Sequence, residues 1–173
     1  MSAARKFVKF VDRMNDVIGM LISYLVIPLT VIVVFEVMMR YAFDAPTIWA
    51  WDVNMYLGGL MTILGGAYVH LHRGHVAVEF LLEKWSPRKR ILLEMILSPF
   101  ILLPLVVLLW FGGEAAWKSV KIMEHHTSLW DPPIYPLRVA VPLGALLFLL
   151  QGISRFLSDL MRYRELKGQG GER

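Results

Sequence analysis

The chain has 173 residues, of which 57% are hydrophobic and 18% charged, and its mean hydropathy is +0.54. Soluble domains run to about 45–50% apolar and about 25% charged residues, so this composition, gathered into long uncharged runs, indicates a membrane protein of one domain. The absence of cysteine excludes disulfides, iron–sulfur clusters, thiolate zinc sites and cysteine nucleophiles.

The N-terminus carries Arg5, Lys6, Lys9 and Arg13 before the first uncharged run, Val17 to Phe35. That run is long enough to cross a hydrocarbon core about 30 Å thick. It exceeds a signal-peptide apolar region and has no small-residue cleavage site after it, so it reads as a retained span. Glu36 sits four residues before Arg40, the favourable helical spacing for an ion pair, near the outer end of this helix. Asp52 is an alternative partner for Arg40.

Val53 to Val69 forms the second run and Met95 to Gly113 the third. The fourth, Val139 to Ser154, is flanked by Arg138 and Arg155, whose long stems extend it toward both interfaces. Lipid offers the backbone no hydrogen-bond partners, so all four runs are expected to be helical. The fold class is therefore an all-α integral membrane protein with four transmembrane helices at about 17–39, 53–71, 91–113 and 137–157. One domain covers 1–162, followed by a flexible cytoplasmic tail from 163 to 173. Short amphipathic segments are expected in two loops. Val76 to Trp85 mixes apolar and charged residues before Ser86-Pro87, the pattern of a helix lying along the inner interface. Glu114 to His126 continues the third helix on the outer side, with Asp131-Pro132-Pro133 as its breaker.

Basic residues set the orientation. The N-terminus, second loop and C-terminus carry fourteen of the 18 lysines and arginines, and the first and third loops only four. By the positive-inside rule both termini are cytoplasmic. The net charge of +4 is then a topology signal, and no nucleic-acid motif accompanies it.

Few groups offer chemistry. Glu36 is the one acid within or at the edge of a span, which makes it a functional suspect, though Arg40 supplies a structural explanation. His70, His72 and His75 fall at the inner end of helix two, whereas His125 and His126 fall on the outer side. Haem held between helices requires imidazoles at matching depth, and the spacing is not that of a zinc site, so no cofactor is expected. Trp49, Trp51, Trp130, Tyr41 and Tyr135 form an outer aromatic belt. Pro28, Pro99, Pro104 and Pro142 are expected to kink their spans, and Gly58-Gly59 with Gly65-Gly66 gives helix two a small-residue face. No nucleophile–base set, phosphate-binding loop or carboxylate pair appears, and an enzyme is not expected.

Glu36-Val37-Met38-Met39-Arg40-Tyr41, followed by Pro46, Trp49-Ala50-Trp51 and Asp52, resembles the small membrane subunit of TRAP transporters, the DctQ-like family. Gly66-Ala67-Tyr68, then Gly74-His75-Val76 and Glu79, is similar to a second family stretch. Val141-Pro142-Leu143-Gly144 with Gln151 is similar to its helix-four signature. Asp52 stands where glutamate is common in the family. The resemblance implies a bacterial inner-membrane protein with two protein partners. One is a large sodium-coupled subunit that translocates the substrate, and the other is a periplasmic binding protein that delivers an organic acid or similar solute. Contact with membrane lipids is also implied. Glu36, Arg40, Tyr41, Trp49, Asp52, Gly66, His75, Pro142 and Gln151 are then structural or partner-interface residues. Two rival readings remain: an autonomous four-helix proton-coupled transporter using Glu36, and a haem or quinone anchor of a redox enzyme.

Overall fold

The computed structural model describes residues 3–72 and 87–169. Among these residues five helices follow in order: α1 (Ala3–Ser23), α2 (Val26–Tyr41), α3 (Ala50–Leu71), α4 (Pro87–Lys121) and α5 (Tyr135–Gln169). The segment expected to lie along the inner interface, Val76 to Trp85, falls outside the described residues, as does His75.

The first span differs from expectation. Helix begins at Ala3, well before Val17, and breaks at Tyr24-Leu25. Pro28 is the physical reason. It has no amide hydrogen to return to the carbonyl of Tyr24, and its ring crowds that carbonyl. Ile27 N–H donates to Tyr24 O instead at 3.1 Å, Leu25 N–H donates to Ile22 O at 3.0 Å, and regular pairing resumes with Leu29 N–H to Leu25 O at 3.1 Å. Pro28 thus occupies the first turn of a new helix, where its missing donor is tolerated. Pro99, Pro104 and Pro142, by contrast, lie inside helices that continue through them.

Helix α4 does run past residue 113, but it ends at Lys121, ten residues ahead of the expected breaker. Glu124 N–H donates to Ser119 O at 3.0 Å and Met123 N–H to Val120 O at 3.2 Å, with Met123 at φ 47°. Those two bonds around a left-handed residue make a Schellman ending, here without the usual glycine. Helix α5 continues to Gln169, through much of the stretch expected to be a flexible tail.

Among the described residues three helical stretches are long and apolar enough to cross a membrane: 3–41 taken together, Ile91–Lys121 and Tyr135–Arg164. The more mixed α3 packs against α1, α2 and α5, and its Asp52 and His70 are buried. The most extensive packing joins α4 to α5, and α5 also touches α1 and α3. The buried apolar residues are mostly alanines (Ala50, Ala67, Ala116, Ala140, Ala145), while most large apolar side chains face outward. A soluble domain hides its large side chains. This bundle buries small ones and relies on close backbone approach, as helix pairs in lipid do.

Candidate functional site

Polar side chains gather in two layers, one at each end of the bundle, named outer and inner after the orientation expected from the sequence. The outer layer is built on the α2–α3 connection. The Glu36 side chain, only 14% exposed, accepts from Arg40 Nη2 at 2.7 Å and Nε at 3.3 Å. Its other oxygen accepts from Thr47 N at 3.2 Å and Thr47 Oγ1 at 2.5 Å. The expected i,i+4 pair is present. The sequence reading missed Thr47, which ties the carboxylate to the loop eleven residues on.

Asp52 is not a partner of Arg40. It is 2% exposed, accepts from Ser128 Oγ at 2.5 Å and lies 3.4 Å from His126 Nδ1. Asp52 stands in the first turn of α3, where a carboxylate is favoured by the helix dipole, and there it anchors the loop after α4. That loop folds back on itself, with His126 N–H donating to Pro132 O and Ile134 N–H to Glu124 O, both at 2.8 Å. Tyr56 OH donates to Pro133 O at 2.6 Å, and Arg138 pairs with Glu124 at 2.7 Å. Trp49 precedes α3 and stacks on Phe35 at 6.0 Å. Tyr41, at the end of α2, is 82% exposed.

The inner layer centres on Gln151, 2% exposed. Its Nε2 donates to Asp12 Oδ1 at 2.8 Å, and its Oε1 accepts from Asn15 Nδ2 at 2.8 Å. Ser154 Oγ donates to the same Asp12 oxygen at 2.9 Å. Arg155 donates to His70 O at 2.9 Å and faces Glu94 at 3.9 Å, while His72 lies 3.4 Å from Asp16. Between the layers, Gly66 faces the ring of Phe148, and Pro142 lies near Gly112.

Gln151 therefore sits among residues that the resemblance did not flag. Asp12 and Asn15 precede Val17, where the first uncharged run begins, so hydropathy alone does not mark them. Val11, Asn15 and Gly19 are the buried residues of α1; their i,i+4 spacing is the signal that would have found the face. Asp12, His72, Glu94 and Arg155 share one end, and Glu36, Thr47, Asp52 and Ser128 share the other. Among the described residues no three His, Asp or Glu side chains are placed to hold a metal ion.

The effect of severing the outer layer is expected to depend on which contact is cut. Arg40, 54% exposed, makes a solvent-screened ion pair of the kind that contributes little. Removing Thr47's hydroxyl takes a hydrogen bond from a charged acceptor that is less exposed to water, and such a bond counts for more than a neutral one. Thr47→Val should lower thermal stability in detergent more than Arg40→Ala. The reverse order would show that the loop does not depend on Glu36.

Helices of spanning length with small buried residues, and polar networks between helices gathered toward the two ends, define an integral membrane helix bundle. A family model for the DctQ component of tripartite ATP-independent periplasmic transporters matches residues 29–162, and the chain belongs to that family. It is thus a transporter component, in a family that is not one of enzymes. No curated protein matches it. The family match starts immediately after Pro28, leaving α1 outside it.

Proposed function

We propose that this chain is the small subunit that braces a large sodium-coupled translocating subunit and helps dock a periplasmic binding protein during uptake of an organic acid or similar solute. In this reading four helical segments cross the bacterial inner membrane, both termini are cytoplasmic, and the chain has no ion or substrate path of its own. One observation carries the last point. Four hydroxyls along the spans are bonded to their own helices: Ser23 to Met20 O at 2.7 Å, Thr30 to Val26 O at 2.7 Å, Thr62 to Gly58 O at 2.9 Å and Ser98 to Glu94 O at 3.1 Å. A transport path needs polar groups converging near the midplane. What this bundle offers outward is apolar surface, most fully on α2, which buries none of its residues. Glu36, the residue on which a proton-coupled reading rests, is held by Arg40 and Thr47.

Reconstituted alone in liposomes under a sodium gradient, with the binding protein supplied, the chain should show no uptake above empty vesicles. Adding the large subunit should produce sodium-dependent uptake. Accumulation by the small subunit alone would overturn the bracing role. For orientation, reporters fused after residue 46 and near 126 should read periplasmic, and those after 86 and at the C-terminus cytoplasmic. A periplasmic C-terminus contradicts the arrangement.

A further inference from the structure

Helix α1 turns three different stripes to its surroundings. Val11, Asn15 and Gly19 are buried, with Asn15 bonded to Gln151 of α5 and Gly19 against Tyr68 of α3. A second stripe, Phe7, Phe10, Met14, Val17 and Leu21, follows the alternating three- and four-residue spacing that keeps side chains on one helix face. All of it except Met14 is exposed, Phe10 to 68%. Lys6, Lys9 and Arg13 each precede a member of that stripe by one residue, which sets them about 100° further around the helix, and all three are exposed. The described acids at this end are committed elsewhere. Asp12 is bonded to Gln151 and Ser154, Asp16 faces His72, Glu94 faces Arg155, and Asp159 is buried. The helix therefore presents an apolar strip beside a cationic one.

We propose that the inner half of α1 docks on anionic phospholipid, with Phe7 and Phe10 at the boundary of the acyl chains and Lys6, Lys9 and Arg13 on the headgroup phosphates. Depth supports this partner. Asp16 meets His72 just past the end of α3, and Asp12 lies one turn further along, so the charged level of the bundle is reached there. At 1.5 Å per residue, Phe10 lies about 3 Å beyond Asp12 along the helix axis and Phe7 about 7.5 Å. The interfacial zone on each side of a bilayer is about 5–7.5 Å deep, and any tilt of α1 shortens both distances, so the two rings fall within that zone. Charge supports it as well. Basic residues are drawn to an anionic leaflet, ammonium and guanidinium groups bind phosphate with charge-assisted hydrogen bonds, and aromatic rings beside them are the usual companions at this depth. A second copy of the same stripe would bring cations to cations. The proposal requires only that the bundle crosses a membrane, so it can fail while the bracing role stands.

The full chain in nanodiscs of phosphatidylglycerol and phosphatidylcholine tests it. Because the sequence has no cysteine, a nitroxide attached at Phe10→Cys or at Lys9→Cys reports a single position. The label at position 10 should be relaxed more by oxygen, which concentrates in the acyl region, than by a water-soluble nickel chelate. The label at position 9 should show the reverse. Native mass spectrometry then reads the lipid preference. Changing Lys6, Lys9 and Arg13 together to glutamine should lower the retained phosphatidylglycerol-to-phosphatidylcholine ratio by about fivefold or more, since one basic residue at an anionic surface accounts for about that factor. Lys6→Arg with Lys9→Arg should preserve the ratio. Three results would overturn the proposal: a label at position 10 as open to the chelate as that at position 9, protection of position 10 from both reagents by a covering protein, or a lipid ratio indifferent to the triple change.

Discussion

Replacing Gly144 by alanine is expected to break the seat of α5 on α3. A Cβ at this position would lie 2.5 Å from both Ile63 Cγ2 and Ile63 O, and 2.9 Å from the Ile63 carbonyl carbon. Two of those atoms are backbone, so no rotamer change clears the space and the helices must separate. Overpacking commonly costs about 1–3 kcal/mol, and a clash with backbone belongs at the upper end. Gly65→Ala is the matched control, since nothing lies within 4 Å of its added carbon; its effect should stay within about 0.5 kcal/mol. Thermal unfolding of the two variants in the same detergent checks this, and equal melting temperatures would mean that α3 and α5 do not approach this closely.

Gln151→Leu should have an effect of comparable size, and it should fall on α1. The change removes the bonds that Gln151 makes to Asp12 and Asn15. Asn15 Nδ2 is left with Leu147 O at 3.5 Å, and the Asp12 carboxylate with Ser154. Hydrogen bonds between membrane helices average about 0.6 kcal/mol and reach about 1.7. A buried group left unsatisfied adds about 1–3 kcal/mol, giving roughly 2–4 kcal/mol in all. Amide exchange should rise across residues 3–23 and change little in α4. Combining Gln151→Leu with Asn15→Leu should cost less than the two changes separately, because the second removes the orphaned partner. Strict additivity would show that the bond between them contributes nothing.

Much of the helical content was legible in the sequence because lipid allows so few backbone arrangements, and uncharged runs mark them directly. The errors arose where local hydrogen bonding decides. Pro28 reads as a kink in a single span, yet the bonds at Tyr24 and Leu25 make it the start of a second helix. The end of α4 had no glycine to mark it, and Met123 takes the left-handed role. The Glu36–Arg40 pair was readable because both groups lie on one helix. Asp52's partners, Ser128 and His126, are 76 and 74 residues away in sequence, and only the packed structure joins them. The same holds for Gln151, flagged by resemblance alone, whose contacts lie on α1 beyond the window that the charge rule allowed.

The break at Tyr24-Leu25 has a consequence for length. The helical stretch from Ala3 to Tyr41 is 39 residues, and as one straight rod it would measure about 58 Å at 1.5 Å per residue. A bilayer with its headgroup regions is about 40–45 Å thick, so such a rod would have to tilt steeply or leave several turns of helix standing in water. By ending one helix and beginning another, the chain detaches the direction of its first 21 residues from that of the next 16. The first segment is then free to follow α3 and α5, while the second takes its own line through the membrane. Lengthening or shortening α1 therefore need not shift Glu36 and Thr47 in depth, and the outer layer keeps its level independently of the N-terminus.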